Sequence, residues 1–338
     1  MSGASNHWKD REVLVTGATG FLGTWMTHEL VRRGAHVVAL VRDWNGSSNF
    51  ARMQLDKQIT VAHGDLVDPN LLERVLARYS IKTVLHLAAE AIVGAAQKSA
   101  VSTYVSNIEG TWTLLEACRI VGVEATVVAS SDKAYGHHEI LPYTEDFALK
   151  PMFPYETSKA CADMITQSYA HSYGLRTAVT RCGNIYGGGD VNWSRIVPGT
   201  IRSALANERP VIRSDGTFIR DYIHVDDIVA GYLALAEHLA GPSGKEIAGQ
   251  PFNFGSATPV SVLDLTNRII SLTGRNVTPE ILGKRGELKE ILEQHVGSEK
   301  AARVLGWRPK RSLDEGLKKT IAWYEEYLRR ETHGERHS

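Results

Sequence analysis

The sequence predicts an α/β protein: a parallel sheet wound with helices on both faces, followed by a smaller α+β C-terminal lobe. Three observations carry this. Six apolar, β-branched runs alternate with helix-period stretches up to about Gly183. The turn after the first run is rich in glycine. Beyond Gly183 the alternation gives way to glycines, loops and short strands such as "PVIRS". The 338 residues suffice for two units, here 1–183 for the sheet and 184–338 mainly for the lobe, with some chain crossing back to the sheet.

Each element has its own signal. "EVLVT" leads through the glycine turn to "FLGTWMTHELVRRG", whose apolar spacing and closing Gly34 read as a helix with its stop. "HVVALV" and "ITVAHGDL" are the next strands. "DPNLLERVLARYS" opens with Asp68 as N-cap and Pro69 in the first turn. "TVLHLA" follows, then one longer helix over about "VSTYVSNIEGTWTLLEACRIVG", the strand "ATVVAS", a helix through "YETSKACADMITQSYAHSYG" and the strand "RTAVTRC". In the lobe, "SVLDLTNRIISLTG" and "SLDEGLKKTIAWYEEYLRR" read as helices.

Composition excludes several classes. Lys+Arg and Asp+Glu each number 38, a balance without the positive field that nucleic acid or an anionic membrane requires. No run reaches the roughly 20 apolar residues of a membrane span, and the N-terminus has no signal-peptide hydrophobic region. Cys118, Cys161 and Cys182 are scattered, without metal spacing, and read as reduced thiols of a cytoplasmic protein. No metal is expected, and His137-His138 reads as a surface pair.

"VTGATGFLG" places Gly17, Gly20 and Gly23 between the first strand and first helix. There glycine permits a tight turn, close approach of backbone N–H groups to a pyrophosphate, and close helix packing. In this strand-turn-helix context the loop predicts dinucleotide binding and makes the sheet Rossmann-type. Asp65 in "GDL" is a candidate for the adenine amino group, with a plain turn aspartate as the rival reading. Tyr155 and Lys159, four apart on a predicted helix, share one face. A phenol with an ordinary pKa near 10 needs nearby positive charge to act as a base at pH 7. Lowering it by about three units corresponds to roughly 4 kcal/mol.

The GxxGxxG spacing together with "YETSK", "GDLVD", "HLAA", "SSDKAYG", "GNIYGGGD", "IRDYIHVDDI" and "LGWRPKRSLDEGLKKTI", in that family's order, resembles the extended short-chain dehydrogenase/reductases of the NAD-dependent epimerase/dehydratase family. The resemblance runs through the whole chain. It adds Thr19, Phe21, Leu22, Leu66, Ala88 and Ala89 to the residues expected around the cofactor, together with Tyr155 and Lys159. Where family members that use NAD carry an acidic residue, the second strand ends "VALVRD". Arg42 there suits the 2′-phosphate of NADP. It equally suits stacking on adenine, or a solvent position with Asp43 serving the ribose, so the cofactor is NAD or NADP, tightly bound and recycled.

The resemblance implies that Tyr155 takes a proton while hydride leaves C4 of a nucleotide-linked hexose, with Ser131 hydrogen-bonding the 4-hydroxyl. Epimerases return the hydride to C4; dehydratases first expel the C6 hydroxyl. In such dehydratases an aspartic acid follows the Ser/Thr and protonates the departing hydroxyl, the place held by Asp132. "SDK" is similar to CDP-glucose 4,6-dehydratases, in which lysine follows the aspartate. Lys133 is then either the C5 base or the group that stabilises the enolate. A nucleotide-sugar 4,6-dehydratase acting on CDP-glucose is the leading expectation and a 4-epimerase the second. A dinucleotide-binding regulator without turnover is the third, opposed by intact Ser131, Tyr155 and Lys159. For the substrate diphosphate the candidates are Arg220, Asn184 and Arg195, with Glu90 and Val93 lining the sugar site. A homodimer is expected through the helix pairs "VSTYVSNIEGTWTLLEACR" and "YETSKACADMITQSYAHSY".

Overall fold

The computed structural model describes residues 6–91, 96, 98–283 and 291–332. The first strand, β1 (Glu12–Thr16), lies inside the sheet, and the glycine turn leads from it into α1 (Phe21–Arg32). Gly34, at φ +80, closes that helix and admits β2 (His36–Val41). β3 (Thr60–His63) precedes α2 (Pro69–Arg78), whose N-cap Asp68 accepts from the Leu71 N–H at 3.0 Å. β4 (Thr83–His86), a helix α3 over 100–121, β5 (Ala125–Ala129), α4 (Pro154–Tyr173) and β6 (Thr177–Cys182) complete the alternation. α4 starts where it does because Pro154 occupies its first turn and the Glu156 carboxylate reaches back to the Met152 and Phe153 N–H groups; Gly174 at φ +67 ends it.

Two later segments return to this body. Helix α5 (Val225–Ala240) covers one face, and β7 (Pro251–Phe254) adds a seventh strand, so the fully parallel order is β7-β6-β5-β4-β1-β2-β3. Residues Leu14, Leu72, Leu76, Leu114 and Cys118 pack on one side; Val13, Met26, Leu30, Tyr232 and Phe254 pack on the other. A third cluster, around Tyr186, Ile201, Tyr222, Leu265 and Tyr324, is the core of the lobe. No helix among the described residues is long and apolar enough to cross a membrane.

The long helix expected over 101–122 is present with one interruption. A π turn spans Val105–Glu109, between α-helical Ala100–Tyr104 and Gly110–Val121. Asn107, 2 % exposed, lies in that turn. Its side chain accepts from the Glu90 N–H (2.7 Å) and donates to the Glu90 carbonyl (3.2 Å) and to Ser158 Oγ (2.9 Å). The bulge thereby links the end of β4 to α4 through one amide.

His86 ends β4 inside a directional chain. Its Nδ1 accepts from the Thr16 hydroxyl (2.7 Å), and its Nε2–H donates to Thr111 Oγ1 (3.1 Å), which donates to the Asn107 carbonyl. Burial pulls the imidazole down to about 3. The unfolded chain takes up a proton near pH 6.5 that the folded chain refuses, so stability falls as pH drops below about 6.5. By pH 5 this amounts to about 2 kcal/mol. Urea titrations at pH 7.5 and 5 should show that loss, and His86→Gln should remove most of it; an unchanged pH slope in the variant assigns the acid sensitivity elsewhere.

Candidate functional site

The order of strands leaves a crevice where β1 is flanked by β2 and β4, and the chain leaving β1 and β4 crosses there. Gly17, at φ +71, is so close to the next crossing that a Cβ on it would lie 2.6 Å from the Ala88 nitrogen. A Cβ on Gly23 would run into the Gly17 carbonyl. Two glycines are thus required by contact, one of them also by its backbone angle. Gly20 is the N-cap of α1, so the first-turn N–H groups, for which the helix has no acceptor, lie beside the opening.

From this crevice a cavity of about 680 Å³ runs over the carboxyl ends of the strands. Its walls include every residue of the glycine loop named from the sequence: Gly17, Thr19, Gly20, Phe21, Leu22 and Gly23. Arg42, Asp65, Leu66, Ala88, Ala89 and Glu90 line the same space. Val93 lies outside the described residues. Arg42 Nε donates to Asp43 Oδ2 at 2.7 Å, both side chains being largely exposed, and this bond leads the causes that raise the guanidinium further. Asp65 Oδ1 accepts from the Val67 N–H at 3.4 Å, a turn contact.

At the far end stand Ser131, Asp132, Lys133, Tyr155 and Lys159. β5 ends at Ala129, and the Ser131 hydroxyl accepts the Lys133 N–H (3.2 Å) to begin a single 3-10 turn, Asp132–Tyr135, closed by Gly136 at φ +64. Tyr135 pins this turn from below: its hydroxyl meets Arg181 Nη1 and Asn253 Oδ1, each at 2.8 Å. Arg181 is in turn held in a buried bidentate pair with Asp163 of α4 (2.8 and 3.0 Å). The turn and the helix carrying Tyr155 are therefore fixed to each other through strand β6.

Ser131 Oγ donates to Asp132 Oδ1 at 3.1 Å, whereas Asp132 Oδ2 is buried with no hydrogen-bond partner among the described residues. Asp132 as a whole is 2 % exposed. An acceptor left bare at the wall of a cavity is expensive unless a ligand or proton serves it.

Without a cofactor cation, burial governs the electrostatics of the phenol. Burial, assisted by the Asp132 charge, pushes Tyr155 up to about 12, against smaller lowering effects of the Ser131 hydroxyl and Arg195. Lys159 Nζ donates to the Ala129 carbonyl at 2.8 Å, and burial pulls the amine down to about 8. Protein groups alone thus hold the phenol protonated.

A second cavity, of about 480 Å³, adjoins the first, and Lys133, Asn184, Arg195, Ile196 and Tyr222 belong to both. Arg195, Arg202, Arg213 and Arg220 line it, and no carboxylate does among the described residues. Arg202 and Arg213 were not among the sequence candidates; their runs, "RIVPGTIRSAL" and "PVIRS", give no spacing that distinguishes them from surface arginines. Arg202 lies over the Trp193 ring at 4.8 Å. Arg195 pairs with Asp190 at 2.9 Å, and the Asn184 side chain donates to the Asp221 carbonyl at 3.3 Å. Arg220 is 5 % exposed and donates to the Ile219, Ile291 and Leu292 carbonyls at 2.7–3.2 Å. It serves as part of the wall and ties down the segment at 291–292.

Comparison with known proteins gives the same picture. The chain is 29 % identical to the CDP-glucose 4,6-dehydratase of Salmonella typhimurium, over 96 % of this chain and 94 % of that protein. The UDP-glucose 4-epimerase of Thermotoga maritima, solved with UDP-glucose, superposes with a TM-score of 0.84 at 28 % identity, covering 94 % of this chain and 99 % of the other. The dTDP-glucose 4,6-dehydratase of Streptomyces venezuelae, solved with NAD, gives 0.81 at 29 % identity, covering 93 % and 97 %. Residues 13–252 match the NAD dependent epimerase/dehydratase family. The chain, with its glycine crevice at one end of a cavity and Ser131, Tyr155 and Lys159 at the other, belongs to the NAD-dependent epimerase/dehydratase family.

Proposed function

We propose that the protein is a nucleotide-hexose 4,6-dehydratase, with CDP-glucose as substrate and CDP-4-keto-6-deoxyglucose as product. The observation that carries this reading is the unpartnered Asp132 Oδ2 in the wall of the cavity that also holds Ser131 and Tyr155. A 4-epimerisation has no departing group for such an acid to protonate. The likeness to the Salmonella CDP-glucose enzyme supports the choice of base.

The glycine loop and the first turn of α1 suit the pyrophosphate of NAD, which supplies the hydride acceptor and later gives the hydride back. The side chains that line the cavity carry the rest. Tyr155 accepts the proton of the sugar 4-hydroxyl, and Ser131 orients that oxygen. Oxidation at C4 makes the C5 proton acidic. Lys133 takes this proton or stabilises the enolate; the electron pair forms the C5–C6 double bond. Asp132 protonates the C6 hydroxyl, which leaves as water, and hydride returned to C6 with the proton returned to C5 forms the product. O4 stays a carbonyl, so the proton held by Tyr155 passes to solvent while Asp132 takes one up, which resets both groups. Arg195, Arg202 and Arg213, in a cavity without carboxylates among the described residues, suit the diphosphate, with Asn184 between the two cavities and Glu90 lining the first, towards the sugar. The Arg42–Asp43 pair offers a carboxylate to a ribose, which favours NAD; NADP binding as tightly as NAD in a titration argues against that choice.

A panel of CDP-, UDP-, GDP- and dTDP-hexoses with mass-spectrometric readout tests the reading. Loss of water from the CDP sugar supports it. An isobaric product of changed stereochemistry replaces it with the 4-epimerase reading, which the fold shared with the Thermotoga epimerase favours.

The active form is proposed to be a homodimer through α3 and α4. Val101 (74 % exposed), Ile120, Met164 and Tyr173 place apolar surface on these two helices. Light scattering should give twice the chain mass, and Met164→Glu should lower it to one chain. A Met164→Glu protein that remains dimeric puts the contact elsewhere.

A further inference from the structure

Gln294 is fully buried, on a two-residue strand, Glu293–Gln294, that runs parallel to Ile219–Arg220. It comes from the lobe, 162 residues along the chain from the Asp132 turn, yet its amide grips that turn twice. Nε2 donates to the Asp132 carbonyl at 2.9 Å, and Oε1 accepts from Lys133 Nζ at 2.9 Å. The orientation of the amide is decided by chemistry: the Asp132 carbonyl oxygen only accepts, so the amide nitrogen faces it and the amide oxygen is left for the Lys133 N–H. A ring of bonds thus closes through the main chain of Asp132 and the side chain of Lys133.

Lysine is a point charge on a flexible stem, and by itself it selects no single position. Lys133 stands where the two cavities join. The amide restricts its head to one place there, and holding the Asp132 carbonyl fixes the peptide from which Oδ2 projects without a partner. Ser131, Tyr155 and Lys159 make no hydrogen bond to Gln294 among those found at the described residues.

We propose that Gln294 is a positioning residue that sets Lys133 and Asp132 for elimination and leaves the oxidation at C4 to Tyr155 alone. The inference rests on the dehydratase reading above.

The test compares Gln294→Met, Lys133→Met and the double variant, with Gln294→Asn, too short to span both partners, as the replacement should the methionine protein not fold. Each Gln294 variant should lose water about 10²-fold more slowly, the scale expected of a reacting group displaced by about 1 Å, with KM within about twofold of the parent. Reduced nicotinamide absorbance should build up during turnover, because hydride is taken but not returned. The double variant should lose less than the product of the two single losses, because part of the Gln294 effect passes through Lys133. Parent-like turnover in the Gln294 variants, or a double variant whose loss is the product of the two single losses, overturns the proposal. In protein carrying 15N at lysine Nζ, the resonance absent from Lys133→Met should shift and exchange several-fold faster in the Gln294 variants. If the parent protein dehydrates no sugar, the reading of function fails. The Lys133 signal then still judges the contact, and an unchanged signal overturns it.

Discussion

Asp132→Asn is expected to bind its nucleotide-sugar and oxidise it at C4, yet to release water 10²–10⁴-fold more slowly than the parent, the loss typical of a positioned general acid. Asparagine keeps the shape and can still accept the Ser131 hydroxyl as Asp132 Oδ1 does at 3.1 Å. It has no proton of the required acidity to give. The signature is a split: reduced nicotinamide accumulates in the variant, since the first half of the cycle no longer leads to the second. Stopped-flow absorbance at the nicotinamide band, with quenched samples for product, separates the two halves. Water loss at the parent rate removes Asp132 from the role of acid and, with it, the chief ground for preferring a dehydratase.

Tyr155→Phe should affect the earlier step and produce no build-up of reduced cofactor. Proton removal from O4 is required before hydride can leave C4, so the oxidation should slow by about 10³-fold or more. The sign of the pH dependence follows from the phenol. It is pushed up to about 12 by burial, and the base is its deprotonated form. The oxidation rate should therefore rise with pH, and its midpoint should lie below 12 by whatever the bound nicotinamide cation and Lys159 contribute. To work at pH 7 those charges must offset about 7 kcal/mol, against the roughly 4 kcal/mol of an unburied phenol. A single-turnover profile with C4-deuterated sugar isolates this step. A rate that falls as pH rises, or a phenylalanine variant as fast as the parent, shows that the proton leaves by another route.

Much of the scaffold was legible in the chain because its signals are local. The Asp68-Pro69 cap, the glycine stops at 34 and 174, and the β-branched runs of β1, β2, β5 and β6 each state their element within a few residues. The glycine crevice was legible too, since two of its glycines answer to contacts within one turn and to the neighbouring strand crossing. What escaped was non-local or compensated. β7 is four residues long and opens on a proline, so no run announces it. The π turn at 105–109 changes no apolar spacing that a reader of helices would count. Gln294 means nothing until the lobe is folded onto the Asp132 turn. Arg220, named for phosphate, lines the arginine cavity, and its bonds to three carbonyls of its surroundings could not be read from the chain. Burial around Tyr155, invisible from spacing, pushes the phenol up and leaves its lowering to the cofactor cation and Lys159.

The lobe is made of two detours, one leaving the rim after β6 and the other after β7, while the glycine loop, Ser131, Tyr155 and Lys159 hang from β1, β5 and α4. On the proposed reading, such a layout lets a lineage exchange its taste for sugars and bases without disturbing its redox half, provided that each exchange brings along the one amide that steadies the shared corner. A transplant of the first detour alone would carry most of the arginines into a new host and leave that host's lysine without its anchor.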